Sequence, residues 1–240
     1  PPSTCARCHA VESQQFNESG HFRAYHQIIP KDNLHALVNV HEGRDNPELG
    51  GAPGETGCMQ CHGTEILLDE NNRPTPETWP NMGMGNLYPD GSTGNCSACH
   101  TRHKFSIAEA RKPNACASCH LGPDHPNIEI YENSKHGHIY LTDSDDWIWD
   151  SAPDTWEPGD YRAPTCATCH MSGIGELNTT HNVSERLYWN LWAKRSEVRG
   201  STDVLSPLLG DGEAGREKMK LVCGSCHTSL RTDGFFARGD

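Results

Sequence analysis

The chain has 240 residues, room for one or two domains, and a formal net charge of −12 from 20 basic and 32 acidic side chains. Leu, Ile, Val and Phe make up about 15% of it, a share at which a charged chain normally stays disordered. No run of about eighteen apolar residues is present to cross a membrane, and an acid excess without a basic stripe excludes a nucleic-acid binder.

Taken in chain order, one pattern recurs. Cys5, Cys8 and His9 open the chain, and short helices are expected over 11–18 and 23–28. Cys58, Cys61 and His62 repeat the pattern. Residues 66–95, with Pro74, Pro76, Pro80, Gly83, Gly85, Pro89 and Gly91, read as loop. Cys96, Cys99 and His100 come next, then a short helix over 106–111. Cys116, Cys119 and His120 follow only 20 residues after the previous motif. Residues 143–164 hold seven acids, one base and Trp147, Trp149 and Trp156. They read as an acidic excursion whose Trp rings cover a cofactor face or pack the loop. Cys166, Cys169 and His170 come after it. Val183, Leu187 and Leu191 recur at helical spacing, predicting a helix over about 183–198 that ends before Gly200. A last helix, from Glu213 through Ser225 and on to about 227, carries acids early and Lys218 and Lys220 later, and delivers Cys223, Cys226 and His227. Strand signals are nearly absent, so the expected class is mostly α with extensive coil, in a single domain over 1–240.

All 12 cysteines fall into six Cys-x-x-Cys-His motifs. With His at 15 of 240 positions, six unrelated pairs would all precede His with a probability of about 6 × 10⁻⁸. Zinc ribbons need no His after every pair. A thioredoxin-like motif occurs once on a βαβ unit, and six disulfides would gain nothing from a fixed His. Thiols one helical turn apart add to the two vinyl groups of a haem, and the adjacent imidazole becomes the proximal iron ligand. Six haem c groups, one per 40 residues, are therefore expected. They resolve the composition, because porphyrin faces replace Leu and Ile as apolar interior. At this density the haems form a closely packed chain wrapped by short helices and loops. Covalent haem attachment places such a protein in the periplasm or outside the cell. Without a signal peptide, the chain is expected to be a processed form.

Six histidines are proximal, leaving His21, His26, His35, His41, His103, His125, His136, His138 and His181. Nine suffice for bis-His ligation throughout, which gives low-potential electron-transfer haems. Met82 and Met84 are the alternative soft donors. The count alone does not say whether one iron keeps an open position.

The stretch Cys96-Ser-Ala-Cys-His-Thr-Arg-His103, then Ala110-Arg-Lys-Pro, Cys116-Ala-Ser-Cys-His-Leu-Gly-Pro-Asp124-His125-Pro and Ser134-Lys-His136-Gly resembles the hydroxylamine oxidoreductase family of multihaem cytochromes. The likeness continues through Ala163-Pro-Thr-Cys166 and Thr180-His181-Asn. At the front it includes Thr4-Cys5 with Glu12, Phe16 and Ser19. It implies that the six motifs correspond to haems three to eight of an octahaem pattern. It implies a catalytic haem at Cys58, Cys61 and His62 whose iron is open, with the catalytic pair Asp124 and His125 above it. His103, His136 and His181 are implied as distal ligands, and His21 and His35 are added as further ones. The roles of His26, His41 and His138 stay open. The chain ends 13 residues after His227, short of the family's C-terminal helices and of the tyrosine that cross-links the catalytic haem in oxidising members. The expected direction is therefore reductive. Two classes of function follow. One is an enzyme acting on nitrite or hydroxylamine through one open haem. The other is an electron carrier with every haem bis-His, alone, as a homo-oligomer or polymerised as an extracellular filament. In either case the acid excess steers toward basic redox partner proteins.

Overall fold

The computed structural model describes residues 1–28, 54–122, 125–186 and 212–239. Short helices connected by coil make up these residues, with isolated bridges in place of strands. The chain groups into two compact units, Pro1–Ala98 and Cys99–Asp240. Of all Leu, Ile, Val and Phe among the described residues, only Ile66, Ile174, Val222 and Phe236 are buried. That is far too little apolar surface to order a chain of this length by itself.

In the first unit, helices Pro2–Ala6, Ala10–Glu18 and Ala24–Ile28 precede helix Gly54–His62. The expected segments 11–18 and 23–28 thus form helices, shifted by one residue at the start. The Pro- and Gly-rich loop does more than connect: it terminates helix Gly54–His62. The last carbonyls of a helix lack partners within it. Here Gly63 N–H donates to Met59 O (3.0 Å), Met84 N–H to Cys61 O (2.9 Å) and Gly85 N–H to His62 O (3.0 Å). The loop is held in that pose by buried amides. Asn81 donates to Met59 O (3.1 Å), and the fully buried Asn86 donates to Asn81 O (3.1 Å) while accepting from Thr64 N–H (3.0 Å). A Cβ on Gly85 would lie 2.5 Å from Tyr25 N and 2.8 Å from His62 O. Gly85→Ala should therefore cost about 1–3 kcal/mol and perturb the haem on His62. Thermal unfolding together with the absorption spectrum of that haem checks this.

In the second unit, the 106–111 expectation appears as helix Ile107–Arg111, capped by Ser106 accepting from Glu109 N–H. Helices Asn127–Glu132 and Lys135–Asp143 meet closely at Gly137, where a side chain would run into the Tyr131 carbonyl. The acidic excursion is folded around its tryptophans. Trp147, Trp156, Tyr161 and Ala163 form a buried cluster, with Tyr140 and Trp149 packed against it. Each indole N–H finds an acceptor: Trp147 on Asp143, Trp149 on Ser144 O and Trp156 on Ile148 O (2.8 Å). Arg111, buried, donates to Trp149 O (2.8 Å) and lies 4.7 Å from the Trp156 ring centre. Trp156 is 1% exposed, and Trp156→Ala should destabilise the unit by about 3–5 kcal/mol, read as a lowered Tm of the haem-loaded protein.

The end of the chain forms helices Gly212–Gly224 and Ser229–Gly239. The last motif thus begins in a helix and is completed by the turn after it. Of the helix expected over 183–198, residues 183–186 form turns, and the remainder lies outside the described residues.

Candidate haem-binding and catalytic site

The attachment motifs share a backbone geometry. The motif histidine donates its N–H to the first cysteine's carbonyl at 2.9 Å in His9–Cys5, His120–Cys116 and His227–Cys223. The second cysteine donates to the same carbonyl in each case, at 3.0, 3.1 and 3.2 Å. Cys58–His62 closes helix Gly54–His62, and Cys96 opens a short 3₁₀ turn. Cys166–His170 is itself one helical turn, started by a capping box between Thr165 and Thr168. Thr165 Oγ1 also donates to Arg111 O (2.8 Å), tying this motif to the Trp-packed loop.

No disulfide links the twelve cysteines, and sulfurs from different motifs meet. Cys5 contacts Cys96, and burial together with Cys5 pushes the Cys96 thiol up to about 11. Hydrogen bonding to Cys166 and burial push Cys116 upward. Burial, with Cys223 and Cys166 nearby, pushes Cys169 up to about 12. In the second unit the sulfurs of Cys99, Cys116, Cys166, Cys169 and Cys223 are therefore successive neighbours. Such surroundings favour uncharged sulfur, which is what a thioether supplies.

The imidazoles supply a second test of fit. Two imidazoles on opposite faces of one metal, each bonded at about 2.0 Å, have ring centres roughly 6.3 Å apart. His100 and His181 stand 6.3 Å apart with planes 25° from parallel, and His136 and His227 stand 6.0 Å apart at 36°. In each pair a motif histidine faces one from a distant part of the sequence. His62 Nδ1 lies 2.9 Å from Ala24 O. With its proton directed there, Nε2 keeps the lone pair a metal needs. At His170, burial, then His120 and Arg186, depress the pKa to about 4, favouring the neutral, ligating form. The donor set and its spacing fit haem c.

His120 and His125 are also near, at 6.2 Å, with planes that cross at 79°. They sit on one short loop, closed by Ile128 N–H donating to His120 O (3.1 Å). That loop lacks the length to carry His125 round a macrocycle held by its own motif. His125 is exposed, and its partner Asp124 lies outside the described residues.

His103 is exposed at φ 74°, with Phe105 at φ 48°. Among the described residues its ring meets no proximal imidazole. Two non-glycine residues in the left-handed region within three positions mark a strained turn of the kind kept at functional sites. His21 is half-buried in the turn after helix Ala10–Glu18, His26 lies against Tyr25, and His138 is exposed. His35 and His41 lie outside the described residues. Of the alternative donors, Met82 is exposed and Met84 half-buried. The composition gave no sign of Arg186, buried just beyond the fifth motif, or of Ala24 O, which orients His62.

The family model described as seven times multi-haem cytochrome CxxCH matches residues 90–237. Models for cytochrome c7 and related cytochrome c, and for cytochrome c554 and c-prime, match 48–121 and 4–78. A probable nitrite reductase-hydroxylamine oxidoreductase fusion protein of Kuenenia stuttgartiensis is 38% identical over 226 residues, covering 78% of this chain and 26% of that protein. Among solved structures, a hypothetical multiheme protein superposes with TM-score 0.78 at 28% identity, over 97% of this chain and 60% of the other. A chain of the reducing HAO-like protein complex of Kuenenia stuttgartiensis, at 24% identity, shares the fold with TM-score 0.65, over 98% of this chain and 43% of that one. The chain thus spans about a quarter of that fusion protein and roughly half of each structural relative.

Proposed function

We propose that this chain, which belongs to the multihaem c-type cytochromes, carries six haem c groups along which electrons pass, and that one haem reduces or oxidises small nitrogen species such as nitrite or hydroxylamine. Each haem supplies a reversible one-electron iron couple. The protein supplies attachment, axial imidazoles and protons.

The observation that carries the electron-transfer reading is the pairing of imidazoles at 6.0–6.3 Å. It supports His181 opposite His100 and His136 opposite His227. The resemblance and the strained turn at His103 support a third distal ligand there. His21 and His35 are proposed as two more, which leaves the haem at Cys58, Cys61 and His62 as the open one.

Enzyme activity is supported by the likeness to the nitrite reductase-hydroxylamine oxidoreductase fusion protein and by the placement of His125. An exposed imidazole whose loop keeps it off the nearest iron is suited to proton transfer. Nitrite reduction to hydroxylamine takes up four electrons and five protons, so a proton relay is part of the chemistry. Asp124, its neighbour in sequence, would set the tautomer and basicity of His125. No described helix is long and apolar enough to cross a membrane. We place the protein in the periplasm or outside the cell, where its acidic surface would meet basic redox partners.

The test is electron paramagnetic resonance of the oxidised, haem-loaded protein, with its mass measured alongside. Six haem additions and one high-spin ferric signal that shifts with nitrite or hydroxylamine are expected. Six low-spin signals indifferent to both would leave the second reading, an electron carrier with every haem bis-His.

A further inference from the structure

Arg186 is 1% exposed, among the most deeply buried side chains of the described residues. Its Nη1 donates to Ser172 O (2.8 Å) and its Nη2 to Asn178 O (2.8 Å), which seats it just past the fifth attachment motif. Its Nε–H is buried and has no hydrogen-bond partner among the described residues. Both bonds it makes are to neutral carbonyls, so neither cancels its charge.

The charged and titratable groups around it are Glu185, Asp154, Lys218, His170 and Cys169. Neither carboxylate is bonded to the guanidinium. Glu185 accepts from Lys218 Nζ (2.6 Å) and from Thr180 Oγ1 (2.7 Å), and Asp154 accepts from Thr179 N–H (2.5 Å). A second orphan stands close by: His170 Nδ1 is also buried without a partner. When Nε2 of an imidazole binds iron, Nδ1 carries a proton and is a donor. Two buried donors without acceptors, one of them cationic, thus lie within electrostatic reach of each other. A buried guanidinium with an N–H left unbonded is costly, and the two nearby carboxylates spend their hydrogen bonds elsewhere, so the site has place for a further anionic acceptor.

We propose that Arg186 binds a carboxylate of a haem propionate, with the Nε–H as donor, and that its charge raises the reduction potential of the haem on His170. The thioether edge and the propionate edge of a haem c are opposite each other. A cation beside Cys169 therefore serves a propionate of a neighbouring haem, not of the haem that Cys169 attaches. The two haems are then coupled through one guanidinium. Ferric haem carries one more positive charge than ferrous haem, so a fixed cation nearby favours the reduced state. The haem of the fifth motif becomes a preferred resting place for the electron within the second unit.

This inference rests on the haem attachment proposed above, and haem-peptide mapping of Cys166 and Cys169 reports on that separately. The test uses the fully haem-loaded chain in a potentiometric titration followed by electron paramagnetic resonance. In Arg186→Gln, one low-spin haem should show a ferric-to-ferrous ratio about tenfold higher at fixed potential, a fall of about 59 mV for a one-electron couple. Arg186→Lys should hold that couple near its original value. If neither variant moves any couple, the inference is overturned while the attachment reading stands. Should Arg186→Gln fail to mature, infrared redox-difference spectra of the unaltered protein and Arg186→Lys decide, with the haem carboxylates labelled with ¹³C. A labelled carboxylate band that shifts when guanidinium becomes ammonium supports the contact. Labelled bands identical in the two proteins would mean that Arg186 binds no propionate.

Discussion

His181→Ala should convert one low-spin haem to a high-spin species, and His136→Ala should do the same to a different haem. The argument is geometric. The ring centres of His100 and His181, and of His136 and His227, are 6.3 and 6.0 Å apart, the separation at which each pair would hold an iron through two imidazole nitrogens. Alanine removes one axial nitrogen, the ligand field weakens, and the potential of that haem rises as the ferric state loses a donor. The double variant should show two high-spin haems beyond the one already open, since the pairs share no residue. His138→Ala, two residues from His136 on the same helix and exposed, should leave every signal unchanged. Both variants can be checked by electron paramagnetic resonance and by the near-infrared bands of low-spin haem. Unchanged spectra in His181→Ala and His136→Ala alike would defeat the pairing.

The attachment chemistry was legible in the sequence because thioether formation demands two thiols and a histidine at fixed spacing, and a fixed spacing survives whatever fold surrounds it. His136 and His181 were reached by resemblance, and the ring distances now give them an independent reason. The short helices 11–18, 23–28 and 106–111 were legible because each is bounded by turn residues or a cap, such as Ser106 before Ile107. Helices Asn127–Glu132, Lys135–Asp143 and Ser229–Gly239 were not foreseen. The first two are short and meet each other at Gly137, so the helical period has too few turns to stand out in them. The Trp-rich excursion was read for its composition alone. That its indoles form a core around Arg111 depends on contacts between residues some forty positions apart, which no local pattern carries. The same holds for the loop that ends helix Gly54–His62, where backbone amides and Asn81 do the capping and leave no sequence signature.

Replacing His125 with Ala should lower turnover of nitrite or hydroxylamine by about 10²–10⁴-fold, the range a general acid or base contributes, without changing haem content. The structure separates this from a ligand defect. His125 follows His120 closely in sequence, on a loop closed at Ile128 that is too short to carry it round a macrocycle held by His120, so its loss should leave the low-spin signals intact. Turnover should fall in kcat more than in KM, because the imidazole moves a proton in the transition state and contributes little to holding a small anion. Asp124→Asn should produce a smaller fall and shift the pH profile, since an amide in place of the carboxylate no longer raises the basicity of the imidazole. Imidazole added in solution should partly restore His125→Ala if the lost function is proton transfer, and the exposed position of His125 leaves room for it. A purely conducting cytochrome behaves differently. In that case His125→Ala changes neither the reduction of the haem chain by an external donor nor its reoxidation, and no nitrogen substrate is consumed by either protein. Stopped-flow reoxidation of the reduced protein by nitrite and by hydroxylamine distinguishes the two outcomes in one experiment, because it reads substrate-dependent electron withdrawal haem by haem.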